Sequence, residues 1–293
     1  MPWLEISLDL PPDEAPEGYE EALLAGGALS VTLRDAGDTP VLEPGVGETP
    51  LWPRTRVIGL FAGDTDINAV RRTVARLLGA TAASQLSGNP LEDRDWSRAW
   101  LDRFKPMRFG TRLWVCPEAM EPPESGGVTL RLDPGLAFGT GTHPTTALCL
   151  EWLDAHPVED YEVLDYGCGS GVLGIAAALL GARRVWAVDN DPQALIATAD
   201  NAAKNRVHDR VLVRSPADLP SVQCDLLLAN ILAGPLIDLA PRLARDVRPG
   251  GAAVLSGILS SQAGQVGERY ARWFAMGPPA VRDDWVRLEG VRK

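Results

Sequence analysis

Residues 3–10, "WLEISLDL", alternate apolar and polar positions, the period-two signature of a half-buried strand. Residues 17–26, "EGYEEALLAG", read as a helix that stops at the pair Gly26 and Gly27. "ALSVTLRDAG" reads as a second strand running into a turn, and residues 38–53, rich in Pro, Gly and Glu, as a loop. "TRVIGLFA" (55–62) predicts a strand, and "INAVRRTVARLLG" (67–79) an amphipathic helix closed by Gly79. This β-α-β-β-α order predicts a small sheet with helices on one face, a ferredoxin-like α+β unit over residues 1–85.

Residues 86–105 read differently. "SQLSGNPLEDRDW" is polar and looks like a linker entering a helix. Trp96, Trp100 and Phe104 then recur every four residues, which places them on one helical face. A helix packing that face on a neighbouring domain explains them better than a ligand site does. From 106 to the end a second domain is expected. "RLWVCP" and "GVTLRLDP" read as strands. From residue 161 strands and helices alternate: "EVLDYG", "GVLGIAAALLG", "RRVWAVDND", "PQALIATADNAAKN", "RVLVRS", "CDLLLANIL", "PLIDLAPRLARDV", "GGAAVLSGIL", "SSQAGQVGERYARWF" and a final strand "DWVRLEGVRK". Such alternation implies βαβ units and an open α/β sheet, mostly parallel and covered on both faces. Ligands of these sheets bind outside the carboxyl ends of the strands.

Composition, at 45% apolar and 23% charged residues over 293, is that of an ordinary globular chain and adds little. No apolar run approaches the roughly 20 residues of a membrane-spanning helix. The start "MPWLEISLDLPPDE" has neither a basic leader nor an apolar core, so no signal peptide is expected. Four scattered cysteines without a CxxC pair fit reduced thiols in a cytoplasm, and with three histidines no metal centre is expected. Charge adds more. The net value is −11, and residues 1–50 alone carry eleven acids against one base, Arg34. That field repels nucleic acid and attracts basic partners, unless it is simply a solvated acidic surface.

Two glycine-rich stretches carry the candidate chemistry: "DPGLAFGTGTHPTTA" (133–147) and "DYGCGSGVLG" (165–174). The second follows a strand and opens a helix, where glycines permit a tight turn and close approach of a ligand to the backbone. Asp189 ends the next strand, placed to accept both hydroxyl hydrogens of a ribose. Gly169, Gly171 and Gly174 satisfy GxGxxG, so a dinucleotide is one reading. Asp165 opposes it: a carboxylate at the strand tip is unfavourable beside a pyrophosphate and favourable near the ammonium and sulfonium of S-adenosylmethionine. Nor is a hydride-transfer His–Arg–Asp set evident. Asn230, ending the apolar strand "CDLLLANIL", faces the same crevice, where its side-chain oxygen and nearby carbonyls can accept the hydrogens of an amine and aim its lone pair. "FGTGTHPTT" lacks the Lys-Ser/Thr ending of a phosphate-gripping loop and reads as a lid over the site.

Taken together, "DPGLAFGTGTHPTT", "VLDYGCGSGVLGIAA", "AVDNDPQAL", "NAAKN", "ANILAGPL" and "LSGIL", with "LEDRDW…FKPMRFGTRLWVCP", resemble the ribosomal protein L-eleven methyltransferase family over essentially the whole chain. The resemblance implies a seven-strand, Rossmann-like class I methyltransferase domain behind a substrate-recognition domain. It implies S-adenosylmethionine as methyl donor, no metal, and methylation of lysine side chains and the α-amine of one large-subunit ribosomal protein. The family's cofactor contacts fall on Thr146, Gly167, Asp189 and Asn230, with Gly169 in the same loop and with Phe138 and His143 in the loop over the methionine end. Related amide and adenine methyltransferases carry Asn-Pro-Pro-Tyr where this chain has Asn230-Ile-Leu-Ala, which fits an aliphatic amine better than a planar nitrogen. The expected partner is a basic ribosomal protein, without direct nucleic-acid or membrane binding, and the enzyme is expected to be monomeric. An RNA methyltransferase and an NAD-dependent oxidoreductase are the alternatives.

Overall fold

The computed structural model describes residues 3–12, 14–37, 39, 50–92, 105–118, 120–122, 126–132 and 143–293, and its chain divides into two compact units, Met1–Trp96 and Ser97–Lys293. The expected aromatic helix around Trp96, Trp100 and Phe104 and the expected lid with Phe138 lie outside the described residues.

In the first unit, β1 (Trp3–Asp9), α1 (Glu17–Ala25), β2 (Ser30–Asp35), β3 (Thr55–Ala62) and α2 (Ile67–Leu78) follow the hydrophobic pattern. The Asp66 side chain caps α2 by accepting the Asn68 amide hydrogen at 2.9 Å, and Val70 and Val74 turn inward from that helix. A short α3 (Ala80–Ser84) and a strand β4 (Ser87–Leu91) complete the unit. The strand corrects the linker expected from residue 86. It pairs antiparallel with β1, Trp3 facing Leu91 and Ser7 facing Ser87. Its residues are nearly all exposed, so no apolar alternation marks it; the free backbone edge of β1 recruits it. Pro90 is tolerated because the strand lies at the sheet's edge. The antiparallel order β2-β3-β1-β4 with βαββαβ connectivity is the ferredoxin-like arrangement. Ile6, Leu8, Leu23, Val57, Phe61 and Val74 fill its core.

The second unit opens with a small sheet in the order β5 (Met107–Phe109), β6 (Leu113–Cys116), β7 (Val128–Arg131). The helix α4 (Pro144–Ala155) follows and holds the β5–β6 turn. Its Asp154 carboxylate accepts the amide hydrogens of Thr111 (2.6 Å) and Arg112 (3.1 Å) and the Thr111 hydroxyl (3.0 Å). Burial pushes that carboxyl up, and the converging donors outweigh burial and hold it below the usual range.

The large sheet then alternates as β8 (Glu162–Tyr166), α5 (Val172–Leu179), β9 (Arg184–Val188), α6 (Pro192–Lys204), β10 (Val211–Arg214), β11 (Cys224–Asn230), α7 (Ala233–Asp246), β12 (Val247–Leu259) and α8 (Ala263–Tyr270). It ends in β13 (Phe274–Met276), β14 (Ala280–Arg282) and β15 (Trp285–Arg292). The strand path is β10-β9-β8-β11-β12-β15-β13, seven strands with β14 added on β15. The first five run parallel and β15 returns antiparallel. The three-residue strands β13 and β14 are too short to show a period; Phe274 begins a strand instead of ending the expected helix. Residues of α4, α5 and α6 pack one face and those of α7 and α8 the other. Between β8 and β11 the chain turns in opposite directions, and that divergence opens the crevice of a doubly wound sheet.

Candidate active site

The expected residues Gly167, Gly169, Asp189 and Asn230 lie at the carboxyl ends of β8, β9 and β11, with Thr146 of α4 beside Asn230. The β8–β11 register pairs Leu228 with Asp165, so Asn230 stands two residues farther on, level with the glycine turn. Asn230 Nδ2 donates to Thr146 Oγ1 at 3.2 Å, which joins the tip of β11 to the first turn of α4. With the amide nitrogen so engaged, the side-chain oxygen is the acceptor left to the crevice. Thr146 is buried and Asn230 half-buried.

Two glycines make room for the turn after Asn230. Gly167 has φ +78°, and a Cβ there would stand 2.1 Å from Ile231 Cγ2. Gly257 has φ +80°, and its Cβ would meet the Ile231 carbonyl oxygen at 2.4 Å. Ile231 is thus held between two backbones that only glycine allows so close. Gly257, in "LSGIL", was not among the expected site residues; its local sequence gives no sign of the distant Ile231.

The donor set of the glycine turn decides what it can hold. The amides of Gly167 and Cys168 both donate to the Val188 carbonyl, at 2.7 and 3.0 Å, and that of Gly171 to the Cys168 carbonyl at 2.7 Å. Gly169 N–H donates to Asp189 Oδ2 at 2.9 Å. Gly174 N–H, in the first turn of α5, donates to Asp165 Oδ2 at 2.8 Å. A pyrophosphate site needs free amides at this turn and at the helix N-terminus. Here the amides of Gly167, Cys168, Gly169 and Gly171 are engaged and a carboxyl occupies the helix start. Burial, with the Gly174 amide opposing it and nearby Asp189 adding to it, pushes the Asp165 carboxyl up to about 7. The arrangement fits a cationic cofactor and disfavours a dinucleotide.

Asp189 is half-buried, and its other oxygen accepts the Asp191 amide hydrogen at 3.0 Å. Each oxygen so engaged retains a lone pair, the equipment for two ribose hydroxyls. His143 caps α4: its Nδ1 accepts the Thr145 amide hydrogen (3.4 Å) and lies 2.8 Å from the Thr145 hydroxyl. Burial lowers its pKa, because a charged imidazolium is disfavoured where solvent is excluded. Its ring meets Trp285 edge-on at 4.8 Å, an aromatic neighbour the sequence did not point to. Thr198 and Asn201 of α6 were likewise not foreseen as site residues, although Asn201 lies in "NAAKN". Among the described residues no His/Cys/Asp/Glu cluster could hold a metal, and no helix is long and apolar enough to cross a membrane.

The ribosomal protein L11 methyltransferase (PrmA) family profile matches residues 2–293. Curated relatives named ribosomal protein L11 methyltransferase include that of Pseudomonas paraeruginosa, 53% identical over 100% of this chain and 99% of its own length. That of Methylococcus capsulatus is 54% identical, covering 99% of both chains. The crystal structure of a ribosomal protein L11 methylase from Lactobacillus delbrueckii subsp. bulgaricus superposes with a TM-score of 0.60 at 33% identity, covering 65% of this chain and all of that one. A doubly wound sheet whose glycine turn disfavours a dinucleotide, and matches of this extent, lead to one assignment: the chain belongs to the ribosomal protein L11 methyltransferase family.

Proposed function

We propose that this protein transfers methyl groups from S-adenosylmethionine to amines of ribosomal protein L11, both lysine side chains and the N-terminal α-amine. The observation that carries the cofactor assignment is the engaged set of turn amides beside Asp165 and Asp189. The bound cofactor supplies an electrophilic methyl on a sulfonium. The protein's residues do the rest. Asp189 accepts the ribose hydroxyls. The turn from Gly167 to Gly171, with the Asp165 carboxyl beside it, would hold the methionine end. Thr146 fixes the amide of Asn230, whose oxygen then accepts an amine hydrogen and aims the nitrogen lone pair along the line of transfer.

A lysine amine, with a pKa of about 10.4, and an α-amine, at about 8, arrive largely protonated. Only the neutral form reacts, so the proton leaves to water before transfer and the site selects and orients what remains. No strong base is needed. The first unit recognises the substrate: residues 1–50 carry eleven acids and one base, a complement to a basic ribosomal protein and a deterrent to RNA. The protein acts in the cytoplasm as a monomer.

The test is to incubate the protein with methyl-labelled S-adenosylmethionine and total ribosomal proteins, then read the product by mass spectrometry. Label on one small basic protein, at lysines and the α-amine, is expected. Label confined to RNA would overturn the assignment.

A further inference from the structure

Helix α6 and its C-cap present three polar side chains at 198, 201 and 205, spaced to share one helical face. Thr198 is fully buried; its hydroxyl donates to the Gly169 carbonyl at 2.9 Å, and Cys168 Sγ lies 3.4 Å away. Asn201, 8% exposed, donates from Nδ2 to the Ser170 carbonyl at 2.9 Å. A Cβ added at residue 171 would stand 2.8 Å from Thr198 Cγ2, so helix and turn are in direct contact.

The glycine turn is therefore gripped from two sides. The end of β9 takes its donors, through Val188 and Asp189, and α6 takes its acceptors. Both grips belong to one continuous segment, since Asp191 caps α6 with its side chain on Gln193 N at 2.9 Å. The Gly169 peptide groups are fixed by Asp189 on the N–H side and by Thr198 on the carbonyl side.

We propose that Thr198 and Asn201 are positioning residues for the cofactor: they set the distance between the glycine turn and Asp189, and so match the site to a ligand that must reach both. The proposal rests on the reading of this crevice as the S-adenosylmethionine site. Neither residue takes part in the transfer step, so their loss weakens cofactor binding and spares turnover at saturation. Asn205 is the natural comparison. It sits on the same helix face with the same amide chemistry, but it bonds the backbone of Arg131, accepting N–H at 2.7 Å and donating to the carbonyl at 2.8 Å, away from the turn.

The test measures S-adenosylhomocysteine affinity by calorimetry, with KM for S-adenosylmethionine and kcat, for Thr198→Val, Thr198→Ser, Asn201→Ala and Asn205→Ala. Thr198→Val and Asn201→Ala should each weaken affinity about tenfold, by leaving a turn carbonyl without its donor. KM should rise in step while kcat stays within about twofold. Thr198→Ser keeps the hydroxyl and should restore most of the affinity; Asn205→Ala should lower the melting temperature without weakening binding. Unchanged affinity in both loss variants, failure of Ser to restore it, or an equal loss in Asn205→Ala overturns the positioning role. If Thr198→Val does not fold, Asn201→Ala against Asn205→Ala decides alone. A wild-type protein that binds no S-adenosylhomocysteine overturns the site reading itself, and the positioning role with it.

Discussion

The two units solve the same packing problem, helices laid on a sheet, and differ in what they bury. The first unit's interior is apolar; among the described residues its buried polar side chains are Ser7 and Thr55, and each has a local role. Thr55 bonds the Trp52 carbonyl at 2.9 Å, and Ser7 lies 3.5 Å from Ser87 across two strands. Among the described residues the second unit buries nine: Thr145, Thr146, Asp165, Ser170, Thr198, Asn201 and Ser256, together with Asp154 on the β5–β6 turn and Asp246 at the end of α7. A buried polar group costs stability unless it is satisfied. The first unit is built for shape and surface charge, the second to hold polar groups dry and in fixed places.

The largest expected effect probes the apolar side of that contrast. Phe61, fully buried in β3, should cost about 3–5 kcal/mol on change to Ala, read by denaturant unfolding. S-adenosylhomocysteine affinity should not move; a parallel loss would mean that the two units are energetically one. On the polar side, Asn230→Ala should lower kcat on the order of 100-fold, equivalent to about 2.7 kcal/mol, with little change in melting temperature. A variant that keeps wild-type kcat would remove Asn230 from the chemistry.

A smaller effect tests the glycine clamp. Gly167→Ala should cost about 1–3 kcal/mol, because a side chain is forced to positive φ against Ile231. It should also slow turnover, since Ile231 moves and Asn230 moves with it; a stability loss without a kinetic one would separate the clamp from the site.

The last effect is a pH dependence. Burial raises the Asp165 carboxyl from 3.8 to about 7, so the folded protein holds a proton there that the unfolded chain releases. That contribution is complete below the ordinary carboxylate pKa and is lost as pH rises through about 7. Ligand-free Asp165→Asn should therefore gain on wild type across that interval, by at least about 1 kcal/mol at its upper end. Parallel stability–pH curves would show that Asp165 is not held in this way.

Much of the fold was legible because burial writes itself into periodicity. β1, α1, β2, β3 and α2, and the alternation from β8 through β12, stand where apolar spacing put them. The strand β4 did not show, because an exposed edge strand has no buried face to pattern; β13 and β14 did not, because three residues hold no period. In the candidate site, the glycine turn and the positions of Asp189 and Asn230 at strand ends were legible, since special backbone geometry and strand-end polar groups leave local marks.

The sequence by itself determined the class of fold, the two glycine-rich stretches, the acidic leading segment and the strand-end groups Asp165, Asp189 and Asn230. These follow from local spacing and composition, which need no knowledge of distant neighbours. Only the tertiary structure decided that the turn's amides are engaged, that Thr146 holds Asn230 from 84 positions away, that Gly257 makes room for Ile231, and that α6 grips the turn. Those are pairings between segments remote in the chain, and they arise only when sheet order and register bring the partners within hydrogen-bond reach.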